Sequence, residues 1–225
     1  MIAKAPALAG VVAMVSAFAV AGDAIAPAAA ETVHRVLASP LVEEGSGPDG
    51  CAPVLSGLGG PVLWQVRLER LLLDGKALVE ASRQAEPNRF PLCIADLPVA
   101  KNAEVELSFV LHDGGMTRAA GIVLRFADPE DYYAVEADTL TGRVRLSRIV
   151  NGERREIGGR AAALVAEQSQ TLKIKAVDAR FSVFLDGKLL FEAHDSALSA
   201  PGRFGVWSRA DSRTGFGDLF ITLLD

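Results

Sequence analysis

The sequence predicts an all-β protein folded as a two-sheet antiparallel sandwich, and three observations carry that expectation. Short runs from residue 62 onward alternate apolar and polar residues with a period of two, the mark of strands with one buried face. Turn dipeptides such as Asp74-Gly75 and Asn151-Gly152 separate those runs at the interval usual for sandwiches. No stretch after residue 31 sustains a helical period, Arg160 to Gln168 being the one segment where such a period can be drawn.

Met1 to Ala30 reads as an export signal. Lys4 opens it, Leu8 to Ala21 forms its apolar run, and Ala28-Ala29-Ala30 supplies small residues for cleavage after Ala30, with Ala21 and Ala26 as earlier alternatives. The run is short of the ~20 apolar residues that span a bilayer, and Asp23 interrupts it. The expectation is a secreted or periplasmic protein with no membrane association once the signal is cut. About 195 residues then remain, enough for one sandwich domain. The net charge of −5, with basic residues scattered, excludes a nucleic-acid partner.

Residues 31 to 61, with EEGSGPDGCAPVLSGLGGP at their heart, are rich in Gly, Pro and Ser and read as a lead-in or linker to a domain over 62–225. Cys51 there and Cys93 beyond are the only cysteines. In an oxidising compartment they form one disulfide, the competing reading being two buried thiols. No further cysteine or histidine stands at zinc spacing.

Within the domain, VLWQVRLERLLL places Trp64, Val66 and Leu68 on one face, ALVEAS resumes a strand after the turn, and EVELSFVL buries Val105, Leu107 and Phe109. The central hairpin is AAGIVLRFADPEDYYAVEAD, Ala119 to Asp138, whose turn is Asp128-Pro129-Glu130-Asp131. RVRLSRIV, TLKIKAV, RFSVFLDGKLLFEA, GRFGVWSR and GFGDLFITLL complete the series.

Taken in that order, the runs from EVELSFVL to GRFGVWSRADSRTGFGDLFI resemble the concanavalin A-like lectin/glucanase superfamily over about residues 62–225, and within it the laminin-G-like and 3-keto-disaccharide hydrolase-like domains. The resemblance implies a jelly-roll sandwich with a curved face associated with glycans, found in binders, enzymes and structural modules.

Strand parity selects the candidate site. Turning Leu124, Val135, Val144, Leu146, Phe204 and Val206 toward the core leaves Arg125, Tyr132, Glu136, Asp138, Arg143, Arg145, Trp207 and Arg209 on the opposite face. Tyr132, Trp207, Arg125, Glu136 and Arg145 are the expected ligand-binding set, since a sugar site needs ring surface beside a few fixed polar groups. Core packing is an equal alternative for Tyr132 and Trp207, and a solvated ion-paired face is the alternative for the arginines. Glu136 and Asp138 share a face at a spacing compatible with an inverting pair of carboxylates. The E-x-D-x-E strand of the superfamily's glucanases is missing, however, and no G-x-S-x-G elbow accompanies His34, His112 or His194. No cofactor is expected apart from calcium, for which Asp128, Glu130 and Asp131 are the candidate ligands, with a solvated turn as the competing reading. The functional expectation is a binding module for carbohydrate or a glycan-bearing surface. The alternatives are a glycoside hydrolase of the keto-disaccharide type and a protein-contact domain.

Overall fold

In a computed structural model, residues 33–36 and 42–224 are described. They contain no helix and fifteen strands: β1 (Val33–Val36), β2 (Cys51–Gly57), β3 (Trp64–Leu68), β4 (Lys76–Glu80), β5 (Arg89–Ala95), β6 (Asn102–Leu111), β7 (Ala119–Asp128), β8 (Asp131–Asp138), β9 (Arg143–Val150), β10 (Glu153–Ala161), β11 (Ser169–Val177), β12 (Arg180–Leu185), β13 (Lys188–His194), β14 (Arg203–Ser208) and β15 (Thr214–Leu224). The export signal expected over 1–30 lies outside the described residues.

Two antiparallel sheets form the sandwich. One runs β13-β12-β11-β6-β15-β4-β3, with β1 pairing β15 as well, and the other runs β10-β9-β8-β7-β14-β5-β2. The inward residues follow the expected alternation. Val105, Leu107 and Phe109 of one sheet face Leu124, Tyr133, Val135, Val144, Leu146, Phe204 and Val206 of the other in a single core. Side chains also tie the two layers together. Trp64 on β3 donates its indole N–H to the Leu92 carbonyl on β5 (2.9 Å), and the fully buried Arg89 opening β5 pairs with Glu80 closing β4 (3.2 Å).

Two expectations need correction, and a third, the disulfide, holds. The stretch 31–61 is not only a lead-in, because it contributes β1 and β2, and β2 is an edge strand of the seven-stranded sheet. Its Pro53 suits that place, since a residue without an N–H is tolerated where one side of the strand is unpaired. The Cys51–Cys93 disulfide forms, with Cα atoms 5.4 Å apart, and pins β2 to β5. Arg160 to Gln168 is not a helix: it holds the end of β10 and a turn. The polar run 153–161 is an edge strand instead, required by the turn at Asn151 and Gly152, both at positive φ (50° and 76°) as a two-residue hairpin demands.

Candidate functional site

The face of the seven-stranded sheet turned away from the core is concave. Four strand spacings, about 19 Å in a flat sheet, separate β2 from β8, yet the Tyr132 hydroxyl on β8 donates to Ser56 Oγ on β2 at 2.9 Å. Likewise the Arg154 guanidinium of β10 lies 5.0 Å over the Trp207 ring of β14, four spacings away, and 4.7 Å over the Phe90 ring of β5, five away. Only a sheet that twists and curls back on itself brings these side chains together.

The floor of this trough is a second apolar cluster of Leu92, Ile94, Val123, Phe126, Tyr132, Ala134, Ile149 and Trp207. Trp207 stacks on Phe90 with ring centroids 5.7 Å apart. Its indole lies over Gly121, where a Cβ would come within 3.1 Å of the ring and 2.4 Å of the Val135 carbonyl oxygen. A glycine is needed there so that the sheet can carry a flat aromatic ring. Burial pushes the Tyr132 hydroxyl pKa above its ordinary value, with the nearby Arg154 charge opposing the shift.

Beside the aromatic floor lies a charged strip. Glu136 sits between two arginines, its Oε1 2.6 Å from Arg145 Nη2 and its Oε2 3.3 Å from Arg154 Nη1. Arg145 also reaches Asp138 Oδ2 at 3.4 Å. Both carboxylates are nearly buried, and pairing with hydrogen-bonded guanidinium is the condition on which such charges are tolerated. Several donors remain over: Arg154 Nε and Nη2, Arg145 Nε and Trp207 Nε1 are buried without an aligned acceptor. At one end of the trough a cavity of about 380 Å³ opens between the β2 edge and the two hairpin tips, lined by Ser56, Leu58, Phe90, Glu130, Tyr132 and Arg154 among others. Its size falls within the range of small-ligand clefts.

Of the residues selected by parity, Tyr132, Trp207, Glu136 and Arg145 occupy this one face. Tyr132 and Trp207 belong to its buried floor, with no exposed surface. Arg125 is elsewhere. It has a positive φ of 48°, inside a bulge between Leu124 and Asp128, and the extra residue there turns it to the opposite side while carrying Phe126 onto the concave cluster. Its guanidinium donates to the carbonyls of Lys101 (2.9 Å), Leu198 (3.0 Å) and Asp178, and lies 5.2 Å from the Phe181 ring. Arg125 is therefore a clamp on three loops and not part of the trough.

Sequence reading missed Arg154, Phe90 and Ser56. The hairpin turn at Asn151-Gly152 could have revealed the strand bearing Arg154. Nothing local could have revealed that Ser56 meets Tyr132. In the acidic turn, Asp128 Oδ1 accepts the Glu130 N–H (2.8 Å) and Asp131 Oδ1 accepts the Asn151 N–H (3.0 Å), and no group of three or more His, Cys, Asp or Glu side chains placed to hold a metal is found among the described residues.

No protein family matches the chain, and no curated protein matches it in sequence. Solved structures do. The carbohydrate binding module CBM66 from Bacillus subtilis is 22% identical over 73% of this chain and 92% of its own, with a TM-score of 0.56. The exoplasmic/lumenal domain of VIP36 in its Ca2+/Man-bound form is 13% identical over 80% and 84%, with a TM-score of 0.52. Domain 4 of AbnA, a GH43 extracellular arabinanase from Geobacillus stearothermophilus in complex with arabinotriose, is 13% identical over 76% and 82%, with a TM-score of 0.51. At these identities the likeness is one of fold, and it agrees with the sheet order above: a jelly-roll sandwich of two antiparallel sheets.

Proposed function

We propose that the protein is an exported carbohydrate-binding module whose site is the 380 Å³ cleft at the end of the concave trough. The observation that carries this reading is Arg154. Its guanidinium lies against both the Phe90 and Trp207 rings, is held by Glu136 through one nitrogen, and has two further nitrogens that lack an aligned acceptor. A sugar hydroxyl in the cleft would accept from the part of Arg154 that lines it, and the partly exposed Phe90 ring offers surface to sugar C–H groups. The disulfide suits an oxidising compartment, in keeping with export. The solved carbohydrate-binding neighbours support the class of ligand, and the particular glycan is left to experiment.

The test is titration calorimetry against a panel of neutral oligosaccharides, with Arg154→Ala beside the parent protein. One charge-assisted hydrogen bond corresponds to about tenfold or more in affinity, so the variant should bind at least tenfold more weakly. Its melting temperature should change little, because Glu136 keeps Arg145 as a partner. Equal affinity in the variant would refute the placement of the site.

A further inference from the structure

The eight-stranded sheet carries a second cavity, of about 410 Å³, on the side facing away from the core, where Val79 packs with the outer cluster of Leu72, Ala77 and Val110. Three arginines from separate parts of the chain line it: Arg67 on β3, Arg83 between β4 and β5, and Arg213 between β14 and β15. The carboxylates that line the cavity are occupied. Glu69 Oε2 lies 2.6 Å from His112 Nε2, while its Oε1 accepts the Leu71 N–H at 3.1 Å. His112 in turn reaches Glu167 Oε2 through Nδ1 at 2.8 Å. Glu80 is tied to Arg89 and accepts the Leu63 N–H at 2.9 Å.

The guanidinium groups are used far less fully. Each has five N–H donors in a planar fork. Arg67 Nη2 donates to Gln65 Oε1 at 2.6 Å. Arg83 Nη2 and Arg213 Nε converge on a single oxygen, Asp113 Oδ1, at 3.1 and 3.3 Å, and the buried Arg213 Nε has no aligned acceptor there. The cavity therefore presents surplus donors and acceptors already engaged. A ligand that fits must bring acceptors, and the planar, two-oxygen geometry that matches a guanidinium fork is that of a carboxylate.

We propose that this cavity is a second binding site, for a small molecule bearing a carboxylate. Its ligand chemistry is independent of the concave cleft. The sugar-acid form of that ligand, a uronic acid, rests on the carbohydrate-binding reading above.

The experiment is a titration of the full domain with glucuronate, glucose and acetate, followed by amide shifts in proton–nitrogen NMR. Glucuronate should move the amides of Leu68, Ala81 and His112, and glucose should leave them still. Arg213→Gln and the more exposed Arg67→Gln should each weaken glucuronate binding about tenfold or more. Arg154→Ala should not change it, which separates this site from the concave cleft. Glucuronate binding well above acetate supports a sugar acid; equal binding supports a general carboxylate site and detaches it from the carbohydrate reading. The proposal is overturned if glucose moves the same amides as strongly, if no amide near the cavity moves, or if both arginine variants bind glucuronate as the parent does with their folds intact.

Discussion

Arg125 separates the expectation from sequence and the finding from structure most sharply. Parity makes it a ligand-binding residue, whereas the structure makes it the clamp on the loops at Lys101, Asp178 and Leu198. Replacing it by Met removes three hydrogen bonds from a charged donor, each about 1.5–3 kcal/mol, and a guanidinium–ring contact of about 0.5–2 kcal/mol. Burial of the charge opposes these gains and lowers the Arg125 pKa from its ordinary value. Allowing for that cost, the net loss should be about 3–5 kcal/mol. In a domain of this size each kcal/mol moves the melting temperature by about 2–4 °C, so Arg125→Met should melt about 6–20 °C lower. Arg125→Lys keeps the charge but not the fork and should fall between. Calorimetric melting and urea unfolding, run beside glycan titration, decide the matter. A variant that keeps its stability and loses only ligand binding would refute the structural account.

Trp207→Ala should behave as a core truncation, costing about 3–5 kcal/mol in urea unfolding because the indole is wholly buried; an unchanged unfolding midpoint would place the ring at the surface after all. The double change Cys51→Ser and Cys93→Ser opens a loop of sequence separation 42 and should cost about 4 kcal/mol, read as a lower melting temperature under non-reducing conditions. At Asp211, burial pushes the carboxyl pKa up. The N–H groups of Met116, Thr117 and Gly115 outweigh it and hold the carboxyl below its ordinary range. A depressed folded pKa contributes stability that is present above the unfolded value of about 3.9 and is lost as the pH falls through the lower folded value. The stability gap between the parent and Asp211→Asn should therefore be open at neutral pH and close below about pH 4, as measured by urea unfolding at several pH values. A gap that does not depend on pH would contradict it.

Period-two alternation is a local property, and it was legible wherever one face of a strand meets the core. That is why Val105, Leu107 and Phe109, or Phe204 and Val206, could be assigned to the interior from their spacing alone. Edge strands lack the signal. β10 is largely exposed along its length and β2 begins in a Gly- and Pro-rich stretch, so both were passed over, and with them Arg154 and Ser56. Parity also assumes an unbroken strand. Against β14, Leu124 and Arg125 together oppose Phe204, and that one extra residue is what exchanges Arg125 and Phe126 between faces.

The sequence by itself determined the sandwich, the inward face of each regular strand, and the shared face of Tyr132, Glu136, Arg145 and Trp207, because all of these follow from neighbours one or two positions apart. Only the tertiary structure decided what that face is. Curvature accumulates over seven strands, and it alone brings β2 and β10 across to β8 and β14. It turns Tyr132 and Trp207 from an open platform into a buried floor, and it leaves Arg154, over the Phe90 and Trp207 rings, lining the cleft.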